Sequence, residues 1–333
     1  MKYRGFFLHG SLLLAFAILA PMAASAQSSG PLKSVKIRLD WRSGSQHSPF
    51  FLGKAQGLYQ KEGIDLQIIS GSGSSDTVKQ VGSGAVEFGL ADSLVLVQGA
   101  VQKVPAVSIA VYYQRTPIVL LSPKKKPVTS PKQLLGGIKL GNKKGSATSQ
   151  GLSALLAANG IAMKDVNLID IGFGVQPLLV GQVDAMMGFA MNEPVEAEKA
   201  GMAITVMPIS DFGVKAYGLT IISNSSFMKK NPDLVKGFLR ATVRAIKATI
   251  ENPEAAVKAV TKAVKASDAA HHTKVLKRTM PYWMAKAGDV TGIGVQTAKL
   301  WQGTIDIARK LGLIETAVLP AALFTNEFLP TKR

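Results

Sequence analysis

From residue 35 onward the sequence alternates short β-rich runs with amphipathic stretches, and the alternation halts once and then begins again. Such a pattern belongs to α/β architecture on parallel sheets, because each strand needs a crossover helix before the next can join it in the same direction. Residues 35–39 read as the first strand by their apolar/polar alternation. A helix is expected over about 48–62, with Pro49 in its first turn and Gly63 as its stop. Residues 64–69 form the next strand, and 71–75 a Gly/Ser turn into a helix. A short buried strand at 88–91, a helix near 92–103 and strands at 107–113 and 118–121 complete this half.

Residues 123–131 are rich in Pro, Lys and Ser and read as a linker. Beyond it strands are expected at 137–140, 167–171, 184–188 and 204–207, with a helix over 146–159 ended by Gly160. Residues 217–222 read as the strand that returns the chain to the first half. After Asn231-Pro232-Asp233 the sequence is helical almost to its end, with amphipathic segments 234–250, 254–266 and 297–311. The expected organisation is two Rossmann-like lobes joined by two crossings, with a helical C-terminal tail. Lobe 1 takes 32–122 and 220–333, lobe 2 takes 125–218, and rotation near 122–126 and 216–222 closes a cleft between them. Ligands of open α/β sheets bind beyond the C-terminal ends of the strands, which here face that cleft.

The N-terminus fixes the compartment. Lys2 and Arg4 form a cationic head, residues 12–20 an apolar run, and Ala24-Ser25-Ala26 a small-x-small end before Gln27. That is the build of a cleavable signal peptide over 1–26, with an apolar run shorter than the roughly 20 residues of a membrane span. The sequence has no Cys. A chain of this size buries an adequate core without disulfides. A bacterial lipoprotein would need a Cys at its cleavage site, so the expectation is a freely diffusing protein of a Gram-negative periplasm. The same absence excludes Cys nucleophiles, Cys-ligated zinc and iron–sulfur sites. Net charge is +18, and removing the leader subtracts only Lys2 and Arg4. The basic residues are scattered, apart from short clusters at Lys124-Lys125-Lys126, Lys143-Lys144 and Lys229-Lys230, and no aromatic-interleaved stripe accompanies them. This is a solvated basic face and not a nucleic-acid surface.

Five strand-to-helix turns should face the cleft. In the first, residues 40–48, Trp41 stacks on a flat ligand or fills the domain rim, and His47 bonds the ligand or caps the following helix. The second, 70–76, holds Ser72 among amides suited to an anion or carbonyl, or is simply a turn. In the third, Asp92 and Ser93 cap their helix or reach the ligand. The fourth opens a helix with the hydroxyls of Ser146 and Thr148, the best generic polar site. The fifth, 188–194, places Glu193 at the cleft edge, as a partner for amino or ring N–H groups or of its own helix dipole, and Tyr217 follows later.

At this point a resemblance emerges. Leu39-Asp40-Trp41, then His47, then Gly57-Leu58-Tyr59 and Glu62-Gly63-Ile64-Asp65-Leu66 resemble the opening of periplasmic binding proteins for nitrate, sulfonates and taurine. They resemble most the branch for pyrimidine precursors of thiamine. Phe88-Gly89-Leu90-Ala91-Asp92, Gly145-Ser146 and Asp184-Ala185 through Asn192-Glu193-Pro194 match in order and spacing, so the likeness runs over about 34–260. It implies a type II periplasmic-binding fold whose first domain uses both ends of the chain, and a monomer without cofactor. Its partners would be a small-molecule ligand and the permease and ATPase subunits of an ABC importer. In the pyrimidine branch, positions matching Trp41, His47 and Glu193 sandwich and hydrogen-bond a heteroaromatic ring. This sequence departs from the branch after Trp41, where Arg42-Ser43-Gly44-Ser45 replaces a Pro-Asn-Thr-like stretch. Arg42 is a candidate cation for a carboxylate or sulfonate, so a pyrimidine, a sulfonate, an aromatic carboxylate and nitrate all stay open as ligands.

Two other functions compete. Eukaryotic relatives of that branch make the pyrimidine with a cysteine-rich, iron-associated motif, which a chain without Cys lacks. His9 falls in the leader and His271-His272 in the tail, so His47 has no evident second base or ligand, and neither a Gly-x-Ser-x-Gly elbow nor a P-loop is present. A ligand-sensing input module would use the same fold.

Overall fold

The computed structural model describes Met1 and residues 31–172, 174–264, 268–285 and 288–330. Apart from Met1, the expected leader 1–26 lies outside the described residues, as does Ala266 at the end of an expected helix.

The first half of the chain runs β1 (Lys33–Arg38), α1 (Ser48–Ala55), β2 (Ile64–Ile69), α2 (Ser74–Gly82), β3 (Phe88–Asp92), α3 (Ser93–Val101) and β4 (Ala106–Val111). The second half follows with β5 (Ile118–Pro123), β6 (Leu140–Asn142), α4 (Ala147–Ala158), β7 (Leu168–Asp170), α5 (Gln176–Leu179), β8 (Ala185–Phe189), α6 (Glu193–Lys199) and β9 (Ile204–Pro208). Then come β10 (Leu219–Asn224), α7 (Ser225–Lys230), α8 (Pro232–Glu251), α9 (Pro253–Ala263), α10 (Ala269–Thr279) and α11 (Ala298–Lys310).

The strands form two five-stranded sheets of matching design, ordered β2-β1-β3-β10-β4 and β7-β6-β8-β5-β9. In each, a parallel trio built from strand–helix–strand units is joined by one strand that runs the other way. β10 is antiparallel to β3 and β4, and β5 is antiparallel to β8 and β9. Both odd strands are the first after the chain changes sheets. Neither follows a crossover helix, the device that parallel joining requires, so the expected parallel sheets are mixed ones.

The same pairing moves the first crossing. Residues 118–122, expected in lobe 1, belong to β5 and hydrogen-bond within the second sheet. The chain therefore passes between sheets over 112–117, and it returns after Pro208 and before Leu219. The Pro/Lys/Ser-rich stretch is an internal loop of lobe 2. Lys124 N donates to Ala203 O at 2.8 Å, Val128 N to Ser122 Oγ at 2.8 Å, and Ser130 with Gln133 forms a capping box on the turn Pro131–Gly136. Its composition records turns, not a domain boundary.

Two expected elements also shift, both at left-handed glycines. α1 ends at Ala55 because Gly57, at φ 68°, closes a Schellman turn in which Leu58 N reaches Gly53 O at 2.9 Å. The strand expected at 137–140 begins at Leu140, because Gly137 turns the chain at φ 79°.

Side-chain alternation distributes the core. On β5, Ile118 and Leu120 enter a large cluster shared by both halves, while Val119 and Leu121 face a smaller one with Ile171, Leu178 and Met186. In the tail, α8 and α9 pack on α1, the Phe238 ring stacks on Phe88 at 3.8 Å, and Tyr59 bonds Thr242 at 3.0 Å. Beyond them α10 touches both α9 and α6, and α11 touches both α3 and α4, so the tail bridges the lobes and is more than an extension of lobe 1.

Candidate ligand-binding cleft

The loop after β1 faces the other lobe and is tied down on several sides. Leu39 N donates to Ile69 O at 2.8 Å and Gly71 N to Trp41 O at 2.9 Å. A Cβ on Gly71 would lie 1.8 Å from the Leu39 carbonyl oxygen, so only glycine allows this approach. Gln46 O accepts from the Tyr112 hydroxyl at 2.8 Å and from that of Tyr113 at 3.3 Å, which ties the loop to the first crossing. Inside the loop, His47 Nε2 meets Asp40 Oδ1 at 2.9 Å, both residues being buried.

Between the lobes lies a cavity lined by Asp40, Trp41, Gln46, Tyr113, Phe189, Met191, Asn192 and Leu219. Its lining comes from the β1 loop, the first crossing, the end of β8 with the segment after it, and the start of β10. Its volume is about 10 Å³, against the ~10–15 Å³ on this measure that a single water needs. The lobes are thus drawn closely together around it.

Three carboxylates stand around this seam. Glu193 Oε2 accepts from Phe189 N at 2.8 Å at the head of α6. Burial pushes its pKa up to about 7, a rise opposed by its hydrogen bonds and by the charge of Arg42 across the seam. Asp92 accepts from Leu94 N at 3.0 Å as the N-cap of α3. Burial, with a smaller contribution from the charge of Asp40, raises it to about 8. Asp40 itself lines the cavity.

The residues expected at the site fall into two groups. Trp41 lines the cavity, Glu193 and exposed Arg42 act on one another beside it, and His47 sits behind Asp40. The others spend their polar atoms on the protein in this arrangement. Ser72 Oγ donates to Asp76 at 3.0 Å, and Ser93 Oγ to Tyr217 O at 2.8 Å. Ser146 Oγ donates to Lys143 O at 2.7 Å and pairs with Thr148 Oγ1, which donates to Asn142 Oδ1 at 3.0 Å. The Tyr217 hydroxyl accepts from Thr297 N at 2.9 Å and its ring meets Trp301 edge-on, so the tail claims it.

Asp40, Gln46, Phe189, Met191 and Asn192 carry no individual signal in the sequence, although all five lie in turns expected to face the cleft. Tyr113 and Leu219 carried no local signal, because a crossing strand end looks like any other. Among the described residues, no group of three His, Asp or Glu is close enough to hold a metal ion, and no helix is long and apolar enough to cross a membrane.

The riboflavin-binding protein RibY of Chloroflexus aurantiacus is 27% identical over 93% of this chain and 90% of its own. The formylaminopyrimidine-binding protein of Halalkalibacterium halodurans is 24% identical over 95% and 97%. A 4-amino-5-hydroxymethyl-2-methylpyrimidine phosphate synthase of Legionella pneumophila is 25% identical over 90% and 93%. Among solved structures, the periplasmic aliphatic sulphonate-binding protein SsuA of Escherichia coli aligns over 90% of this chain and 99% of its own, with TM-score 0.70 and 17% identity. The periplasmic nitrate-binding protein NrtA of Synechocystis PCC 6803 aligns over 89% and 87%, with TM-score 0.71 and 12% identity. The fold is that of the periplasmic binding proteins. Residues 44–256 match the family described as NMT1/THI5 like, and the chain belongs to that family.

Proposed function

We propose that this chain is the exported solute-binding component of an ABC importer, and that it closes its lobes on a flat heteroaromatic ring of the pyrimidine or flavin kind. The lining of the interlobe cavity carries the reading. Trp41, Tyr113 and Phe189 supply aromatic surface, while Asp40, Gln46 and Asn192 supply polar groups for a ring edge. An oxyanion such as a sulfonate or nitrate needs convergent donors or cations. This lining contains a carboxylate and neither Lys nor Arg, and the charge of Arg42 acts on Glu193. The names of the riboflavin- and formylaminopyrimidine-binding relatives support the same class. The leader read at 1–26 and the absence of Cys support release as a free periplasmic protein. Permease and ATPase subunits are its partners, it acts as a monomer, and the hinge lies in the crossings at 112–117 and 209–218.

The test uses protein recovered from the periplasm of an expressing Gram-negative host, whose N-terminus is expected at Gln27. Its thermal transition is followed with aminopyrimidines, riboflavin, aromatic carboxylates, taurine, alkanesulfonates and nitrate. A ligand at 100 times its Kd stabilises the fold by about 2.7 kcal/mol. A response confined to the anions overturns the ring assignment. Because some relatives are named as synthases, the bound ring is then recovered and weighed by mass spectrometry. An unchanged mass supports capture, and a converted one supports catalysis.

A further inference from the structure

We propose that Asp40 and His47 act as one specificity element, in which Asp40 accepts the N–H edge of the bound ring and His47 holds that carboxylate without touching the ligand. This rests on the ring-binding reading of the cleft.

Asp40 lines the cavity and is 5% exposed. The His47 ring is wholly buried, and among the described residues its Nδ1 has no hydrogen-bond partner. That pattern selects the tautomer. With the proton on Nε2, the ring donates to Asp40 Oδ1 at 2.9 Å and leaves only a bare acceptor unmet. The reverse tautomer sets a lone pair against the carboxylate and buries an N–H with no acceptor, the costlier fault. A single strong donor therefore holds one carboxylate oxygen, and the other is left to accept from a ligand.

The backbone around the pair has independent support. His47 N bonds Gly44 O at 2.9 Å, and both crossing tyrosines bond Gln46 O. The imidazole is thus not needed to shape the loop, and its effect falls on the carboxylate. Selection works by exclusion, because a ring without a donor leaves a buried carboxylate oxygen unpaired, whereas an amino or imide N–H satisfies it.

The experiment measures by calorimetry the Kd of 4-amino-5-hydroxymethyl-2-methylpyrimidine and of its analogue with methyl in place of the amino group. The ratio of the two constants is the readout, since general loosening of the site weakens both rings together. Wild type is expected to prefer the amino ring by about 10- to 100-fold. Asp40→Asn and His47→Leu should each pull the ratio toward one. His47→Gln, which keeps an N–H donor, should restore most of it, and Asp40→Asn/His47→Leu should be no worse than Asp40→Asn alone. A wild-type ratio in His47→Leu, or equal ratios in His47→Leu and His47→Gln, overturns the role of His47. If His47→Leu does not fold, the decision passes to Asp40→Asn, whose unchanged ratio overturns the pair. If wild type binds neither pyrimidine, the same ratio is measured with riboflavin and its N3-methyl derivative, and a protein that binds none of the four overturns the ring-capture reading and this assignment with it.

Discussion

The lobes meet along two seams of opposite chemistry, and α6 belongs to both. At its head, Glu193 is buried at the cleft with Asp40 and Asp92 nearby, and burial lifts Glu193 and Asp92 far above the ordinary carboxylate range. At its tail, Glu198 takes Arg278 of α10 at 2.7 Å and Lys199 takes Asp268 at 2.7 Å, with all four side chains roughly 40–60% exposed. There the Lys199 bond, with backbone N–H groups helping, draws Asp268 down to about 2. Burying a carboxylate is costly in its charged form, so both cleft acids titrate high. Exposed pairs gain little and break readily. The cleft seam is buried and acidic, and the tail seam exposed and paired.

The sharpest way to break this contrast is at the support of the cleft loop. Gly71→Ala sets a methyl against the Leu39 carbonyl and should destabilise the protein by about 3 kcal/mol through overpacking, read from urea midpoints. An unperturbed midpoint means that the loop is soft and the cleft not preformed. Next is Trp41→Ala, expected to weaken ring binding by about 1–3 kcal/mol, or roughly 10- to 100-fold. Unaltered affinity in calorimetry moves the ring elsewhere in the seam.

The acids supply the third test, with a definite sign. Glu193 rises from 4.5 to about 7 and Asp92 from 3.8 to about 8. Across those windows the folded state holds protons that the unfolded state has released, so stability should fall as pH rises from about 4 to 8 and then level off. Glu193→Gln should flatten the fall up to about pH 7, and Asp92→Asn, which can still cap α3, the part reaching pH 8. A slope unchanged in both variants would place the acids in contact with water. The smallest effect belongs to the tail seam. Asp268→Asn with Arg278→Gln removes two weak, solvent-exposed pairs. It should raise the radius of gyration of the unliganded protein in small-angle scattering and weaken ligand binding a few-fold, as should high salt. A large loss of affinity would show that this seam governs closure.

Much of the fold was legible in the residues. Strand alternation located every β1–β10 element to within a few positions, and the doubled β/α pattern revealed two lobes. The largest failure concerned the lobe boundary. Residues 118–121 read correctly as a strand, yet nothing within them says which sheet they join, since Val119 and Leu120 are apolar on both faces and both faces are buried. A proline- and lysine-rich loop then offered a plausible boundary a few residues too late, and with it went Tyr113. At the site, the turn after β1 was readable from Trp41 and His47. The bond that turns His47 toward Asp40 was not, because an Asp and a His seven positions apart do not announce that they meet.

The sequence by itself determined the elements, the turns that would face the cleft and the absence of cysteine chemistry, because periodicity, glycine and proline act over a few neighbours. The tertiary structure alone decided which polar groups are spent and which are offered. Tyr112 finds Gln46 from 66 residues away, and Tyr217 gives its carbonyl to Ser93 across 124. Burial, and the pKa it displaces, exists only once those distant segments have closed around a side chain.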